Sequence, residues 1–96
     1  MNWMHDENEL VVFFEISDEQ LIKIQNDVNY FSDREFLEKA LRSSGNNAHI
    51  FGFYHKTGYP KEGSIIIKKM LDSLDKYNTI SWWDRDSNKF YIKRRE

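Results

Sequence analysis

His49-Ile50-Phe51-Gly52-Phe53-Tyr54-His55 and, further on, Thr79-Ile80-Ser81-Trp82-Trp83 are two short stretches rich in aromatic and β-branched side chains. Such residues suit the pleated surface of a strand. Between them Lys56-Thr57-Gly58-Tyr59-Pro60-Lys61-Glu62-Gly63 holds two of the four glycines and the only proline, the mark of a turn. Ser64 then stands where a helix cap is expected. Ile66, Ile67, Met70, Leu71, Leu74 and Tyr77 follow at helical spacing, with Lys68, Lys69, Asp72 and Lys76 opposite. Strand, crossover helix and strand make a βαβ unit, whose two strands run parallel. Period two places His49, Phe51, Phe53 and His55 on one face of the first strand, and Ile50, Gly52 and Tyr54 on the other. A glycine inside a strand weakens pairing, so Gly52 points to a bulge or to the close approach of another backbone.

Working toward the N-terminus, Leu10-Val11-Val12-Phe13-Phe14-Glu15-Ile16 reads as a strand buried on both faces. Ser17-Asp18-Glu19-Gln20 is a capping box, and Leu21, Ile24, Val28 and Phe31 continue it as one helical stripe. Ser32-Asp33-Arg34-Glu35 repeats the signal ahead of Phe36, Leu37, Ala40 and Leu41, with Gly45 as a left-handed C-cap. Toward the C-terminus, 84–88 reads as a turn and Lys89-Phe90-Tyr91-Ile92-Lys93-Arg94 as the hairpin partner of 79–83. The expected class is α/β (α+β), a mixed sheet of order β-α-α-β-α-β-β with helices packed on it.

Ninety-six residues suit one domain spanning 1–96, with 1–9 expected as a flexible tail. Aromatic residues make up 16% of the chain, enough for a core despite its small size. A domain of this length buries about 60–70% of its unfolded surface, so a homodimer would add useful burial. No apolar run approaches the roughly 18 residues of a membrane span. The acidic N-terminus does not read as a secretory signal, and the expected location is cytoplasmic. Without cysteine there is no disulfide framework, thiolate nucleophile or sulfur-based zinc site, and three scattered histidines give no metal spacing. Charge is uneven. Residues 1–44 carry ten acids and four bases, a balance of −6; residues 45–96 carry six acids and ten bases, a balance of +4. A basic half of this kind suits a polyanion or a phosphate-bearing cofactor, or else neutralises the acidic half within the fold.

The loop leading into the third helix is the richest in chemistry. A helix start presents unpaired N–H groups and about half a positive charge, to which Lys56, Lys61, Lys68 and Lys69 add. Gly58 and Gly63 let backbone approach a phosphate, or else serve the turn geometry alone. Ser64-Ile65 stands where a P-loop carries Lys-Ser/Thr, which argues against nucleotide hydrolysis. His55 and Asp84 close the two parallel strands, where α/β proteins open their crevice, and are the candidate catalytic bases. Each also has a plain structural use, His55 as a polar strand end and Asp84 as a turn former.

From residue 48 onward, the strand with its central Gly52, the glycine-containing loop, the helix 64–77, the strand 79–83 and the hairpin through Arg95 resemble the central part of GNAT-type acyltransferases. The nearest likeness is to small phage-borne members and to toxin-activating lysine acyltransferases. The resemblance implies a bulged strand that splays from its neighbour and a loop that holds the pyrophosphate of acetyl-CoA or another acyl-CoA. Gly58, Lys61, Gly63 and Ser64 would be the cofactor-binding residues and an amine the acyl acceptor.

A second reading stands beside it. Trp82, Trp83, Phe90 and Tyr91 interleave with Arg85, Lys89, Lys93 and Arg94 on the hairpin. That mixture suits a partner surface, with Trp83, Arg85, Tyr91 and Lys93 as its contacts. The protein would then be a small non-enzymatic inhibitor or interaction protein, of a phage or mobile element, binding a host protein or nucleic acid.

Overall fold

Eight consecutive residues, Glu9–Ile16, alternate between two separate cores, and that alternation makes them an interior strand of the sheet. Val11 and Phe13 join Ala48, Ile50, Met70, Tyr77 and Ile80 on one side. Phe14 and Ile16 join Leu21, Ile24, Tyr30 and Ala40 on the other. A strand covered on both faces needs an apolar run rather than a strict polar alternation, as the sequence has it. Each fully buried Phe, Ile or Leu contributes roughly 1.5–3 kcal/mol, so this run anchors both layers.

The computed structural model describes residues 2–56, 65–72, 75–84 and 86–94. Among them, five strands form one mixed sheet in the order β1 (Asn2–His5), β2 (Glu9–Ile16), β3 (Asn47–His55), β4 (Thr79–Asp84) and β5 (Lys89–Arg94). β3 and β4 are parallel and the other neighbours antiparallel. Helices α1 (Asp18–Asn26) and α2 (Arg34–Arg42) lie between β2 and β3 and pack on the sheet face of Phe14 and Ile16. Helix α3 (Ile65–Asp72) links β3 to β4 and packs on the face of Val11 and Phe13. The expected α+β class and mixed sheet are present, with one strand more than expected.

That strand lies where a flexible tail was expected. Asn2–His5 pairs with β2, setting Met4 against the Val11 core, and Asn2 Nδ2 donates to Glu15 Oε1 over 2.7 Å. A four-residue edge strand with few apolar side chains carries too weak a pattern to be read without its partner.

The first capping box forms as expected: Ser17 Oγ accepts from the Gln20 N–H over 3.2 Å, and Gln20 Oε1 accepts from the Ser17 N–H over 2.9 Å. The stripe ends sooner than expected, at Asn26, and residues 30–32 form a 3-10 turn that buries Tyr30. The second helix is capped by Asp33, one residue later than the Ser32 signal suggested; its Oδ1 accepts from the Phe36 N–H over 3.0 Å. Gly45 is not a left-handed cap. Ser43 ends α2 in extended backbone, and Gly45 donates its N–H to Glu15 O over 3.1 Å. A Cβ at position 45 would collide with the carbonyl of Ile16, so glycine serves close backbone approach there.

Candidate functional site

Register decides the site. Along β2 and β3 the pairs run Glu9↔His55, Leu10↔Tyr54, Val11↔Phe53 and Val12↔Gly52, then jump to Phe13↔Ile50. Phe51 is therefore the extra residue of a bulge beside Gly52. An inserted residue inverts the alternation beyond it. His49 and Phe51 face α1 and α2, with Phe51 stacked on Phe14 at 4.2 Å, whereas Phe53 packs on the opposite core beside Val11. His49, Phe51, Phe53 and His55 thus do not share one face, because the bulge lies in the middle of the run. A Cβ at Gly52 would meet the Val12 side chain at 3.5 Å, ordinary contact, so steric space is not what places glycine there.

At the same level the parallel pair separates. β3 and β4 are in register from Asn47↔Thr79 to Ile50↔Trp82 and no further, although β3 runs on to His55 and β4 to Asp84. The divergence lies at the C-terminal ends of the strands, where the chain leaves β3 toward α3.

His55 ends β3, half-buried, on the α3 side of the sheet and level with the buried Glu9 of β2. Asp6 belongs to the same neighbourhood. The N–H groups of Asn8 and Glu9 hold its carboxyl below the usual range, and the positive charge of Lys69 adds to this. Asp84 ends β4 on the same side as His55, but its Oδ1 accepts from the N–H of Asp86 over 3.1 Å and of Ser87 over 3.5 Å. It shapes the hairpin turn, which Asn88 completes with a φ of 54°. Gly58, Lys61, Gly63, Ser64 and Arg85 lie outside the described residues.

The two tryptophans point to opposite faces. Trp83 is half-buried against the α1 layer, and its indole N–H donates to Ile24 O over 2.8 Å, so it ties helix to sheet and is not an exposed contact. Trp82 stacks on Tyr91 with centroids 5.6 Å apart and planes 16° from parallel. Tyr91 is 41% exposed, and Lys93 is exposed beside it.

Two residues were missed at the sequence level. Glu9 looks like one more acid of an acidic stretch, yet it keeps step with Val11 and Phe13 at period two, and that spacing was the available signal. His49 is fully buried between Tyr30 and Ser81: the Tyr30 hydroxyl lies 3.0 Å from Nε2 and the Ser81 hydroxyl 2.9 Å from Nδ1. Burial pushes its pKa down to about 3, so the ring is neutral in the folded protein. One step along, Asn47 donates to Ile16 O and Asp18 Oδ1 and accepts from the Thr79 hydroxyl over 2.8 Å. A serine beside a histidine suggests a nucleophile, but both are sealed in the core, and the arrangement pins β3 to β4 instead.

Among the described residues no group of three or more His, Asp or Glu is placed to hold a metal, and no helix is long and apolar enough to cross a membrane. Comparison with protein-family models, with curated proteins and with solved structures returned no match.

Proposed function

We propose that the chain binds acyl-coenzyme A where β3 and β4 separate and passes the acyl group to an amine. The observation that carries this reading is the register. The parallel ladder stops at Ile50↔Trp82, beside the bulge at Phe51 and Gly52, while both strands continue. Strand edges without a ladder partner present N–H and C=O groups that seek one. The pantetheine arm of coenzyme A is an extended chain with two amides, suited to lie there as a strand would. In this reading Gly58, Lys61, Gly63 and Ser64 meet the pyrophosphate, as the resemblance to GNAT-type acyltransferases implies.

In the transfer, the amine nitrogen attacks the thioester carbon, a C–N bond forms and the C–S bond breaks. The coenzyme leaves as thiolate, to be protonated from solvent, and the His55 imidazole takes the proton released by the amine. The Asp84 carboxylate is engaged by the turn N–H groups of Asp86 and Ser87 and stays with the hairpin.

Thermal unfolding with acetyl-coenzyme A tests the reading. Ligand at about 100 times its dissociation constant stabilises by about 2.7 kcal/mol. For a domain of this size that raises the midpoint by roughly 10 °C. An unmoved midpoint at millimolar ligand overturns it.

A separate observation favours the second reading, a protein that acts by binding a partner. On the sheet face beyond α1 and α2, Trp3 and Tyr54 are 61% and 62% exposed, and Leu10 lies between their strands. Large exposed apolar side chains grouped on one surface are typical of docking sites. Loss of a captured host protein on Tyr54→Ala would support this reading.

A further inference from the structure

We propose that the outer face of β5 binds single-stranded nucleic acid, independently of any coenzyme site. β5 alternates cleanly: Phe90 and Ile92 pack into the α1 and α2 core, while Lys89, Tyr91 and Lys93 point to the other side and are exposed. Same-face residues on a strand lie about 6.6 Å apart, so the backbone positions of Lys89 and Lys93 lie on either side of Tyr91, roughly 13 Å from one another. A nucleotide stacked on Tyr91 then has phosphates within reach of both lysines.

Three features distinguish this strip from an ordinary polar strand face. The Tyr91 ring is backed by Trp82 at 5.6 Å and nearly parallel to it, which holds the platform flat before any base arrives. The lysines are uncommitted: Lys23, Arg34 and Lys39 on the helical layer are engaged by Asp27, Glu38 and Glu35, whereas Lys89 and Lys93 make no ion pair among the described residues. Charge also differs between the strand and the layer on the opposite face: residues 17–43, which carry α1 and α2, hold six acids and four bases, whereas residues 89–94 hold three bases and no acid. Asp84 stands opposite Lys89, so Lys93 is the stronger of the two phosphate contacts. Stacking is tolerant of base identity, and the preference expected is for unpaired strands over duplex.

The test is fluorescence anisotropy of labelled 15-nucleotide oligothymidylate and oligouridylate with the whole protein, against a duplex of equal length. Saturable binding to the single strands is expected, weakening about 7-fold between 50 and 200 mM salt for two phosphate contacts. Tyr91→Ala is expected to weaken it tenfold or more, Tyr91→Phe to retain it, and Lys93→Gln to weaken it and flatten the salt dependence. Lys39→Gln, on the helical layer, should leave it unchanged. Thymidylate and uridylate bound alike place recognition in base and phosphate; a preference for uridylate adds the 2′-hydroxyl. No saturable binding at 50 mM salt overturns the proposal. So does binding insensitive to Tyr91→Ala or to Lys93→Gln, or equal displacement by inorganic polyphosphate, which has charge but no bases. Near-ultraviolet circular dichroism of each variant separates lost binding from lost folding.

Discussion

The two ends of the β3 and β4 pair are built from the same strands and behave in opposite ways. At the closed end, residues 47–50 and 79–82 are in register, sealed by α1, α2 and α3, and joined across by the Asn47 to Thr79 bond and the Ser81, His49 and Tyr30 chain. At the split end the ladder is gone, Gly52 follows the bulge, and Tyr54 stands mostly in solvent. The contrast teaches that register, more than composition, separates core from site. Each end carries one histidine and one tryptophan, His49 and Trp82 at the closed end and His55 and Trp83 at the split end, and a single extra residue divides them.

Acid should break the closed end first. In the unfolded chain His49 titrates near 6.5, but in the fold only near 3. Between those values the unfolded state binds the extra proton, so stability rises with pH and is lost as pH falls from 6.5 toward 3. The slope is about 1.4 kcal/mol per pH unit, and urea unfolding should show it flattened in His49→Gln. Asp6 and Asp33, whose carboxyls are held below the usual range chiefly by the N–H groups of Asn8 and Phe36, shift stability in the same direction in both proteins and cancel from the difference.

A smaller effect separates the two glycines. Gly45→Ala forces a methyl group into the backbone of Ile16 at the closed end and should cost roughly 2–3 kcal/mol in urea titrations. Gly52→Ala meets the Val12 side chain at normal distance and should change stability by less than about 1 kcal/mol, gaining from a stiffer unfolded chain. Equal losses at both positions would dissolve the distinction between the ends.

The smallest expected change is the most informative about the split end. Tyr54→Ala removes a largely exposed ring and should leave the unfolding midpoint within about 0.5 kcal/mol of the parent. A larger loss would mean that this end is part of the core and not a surface held for use.

Much of this architecture was legible beforehand. The capping box at Ser17, the apolar run from Leu10 to Ile16 and the hairpin at 84–88 are local signals, each written in neighbouring residues. The errors have a common cause in partners distant along the chain. Ser32 and Asp33 are equally good caps in isolation, and packing of Phe36 and Leu37 selects the later one. Gly45 carries the usual mark of a helix end, but β2, some thirty residues earlier, occupies the space that a side chain would need. Glu9 was hidden among other acids until the strand pattern of Val11 and Phe13 was extended one step back. Of the candidate bases, His55 was placed at its strand end correctly, while the turn use of Asp84 was visible in its spacing from Asp86 and Ser87.

By itself the amino-acid order marked four of the five described strands and the three helices, because propensity, capping and hydrophobic period act within a few residues, but not β1, which needs β2 beside it. It also marked position 52 as irregular. Tertiary structure decided which way that irregularity turns the strand, where the parallel ladder stops, and that Trp83 holds a helix while Tyr91 faces solvent. These outcomes depend on which backbone groups meet across the sheet, and a shift of one residue in that meeting exchanges interior for exterior.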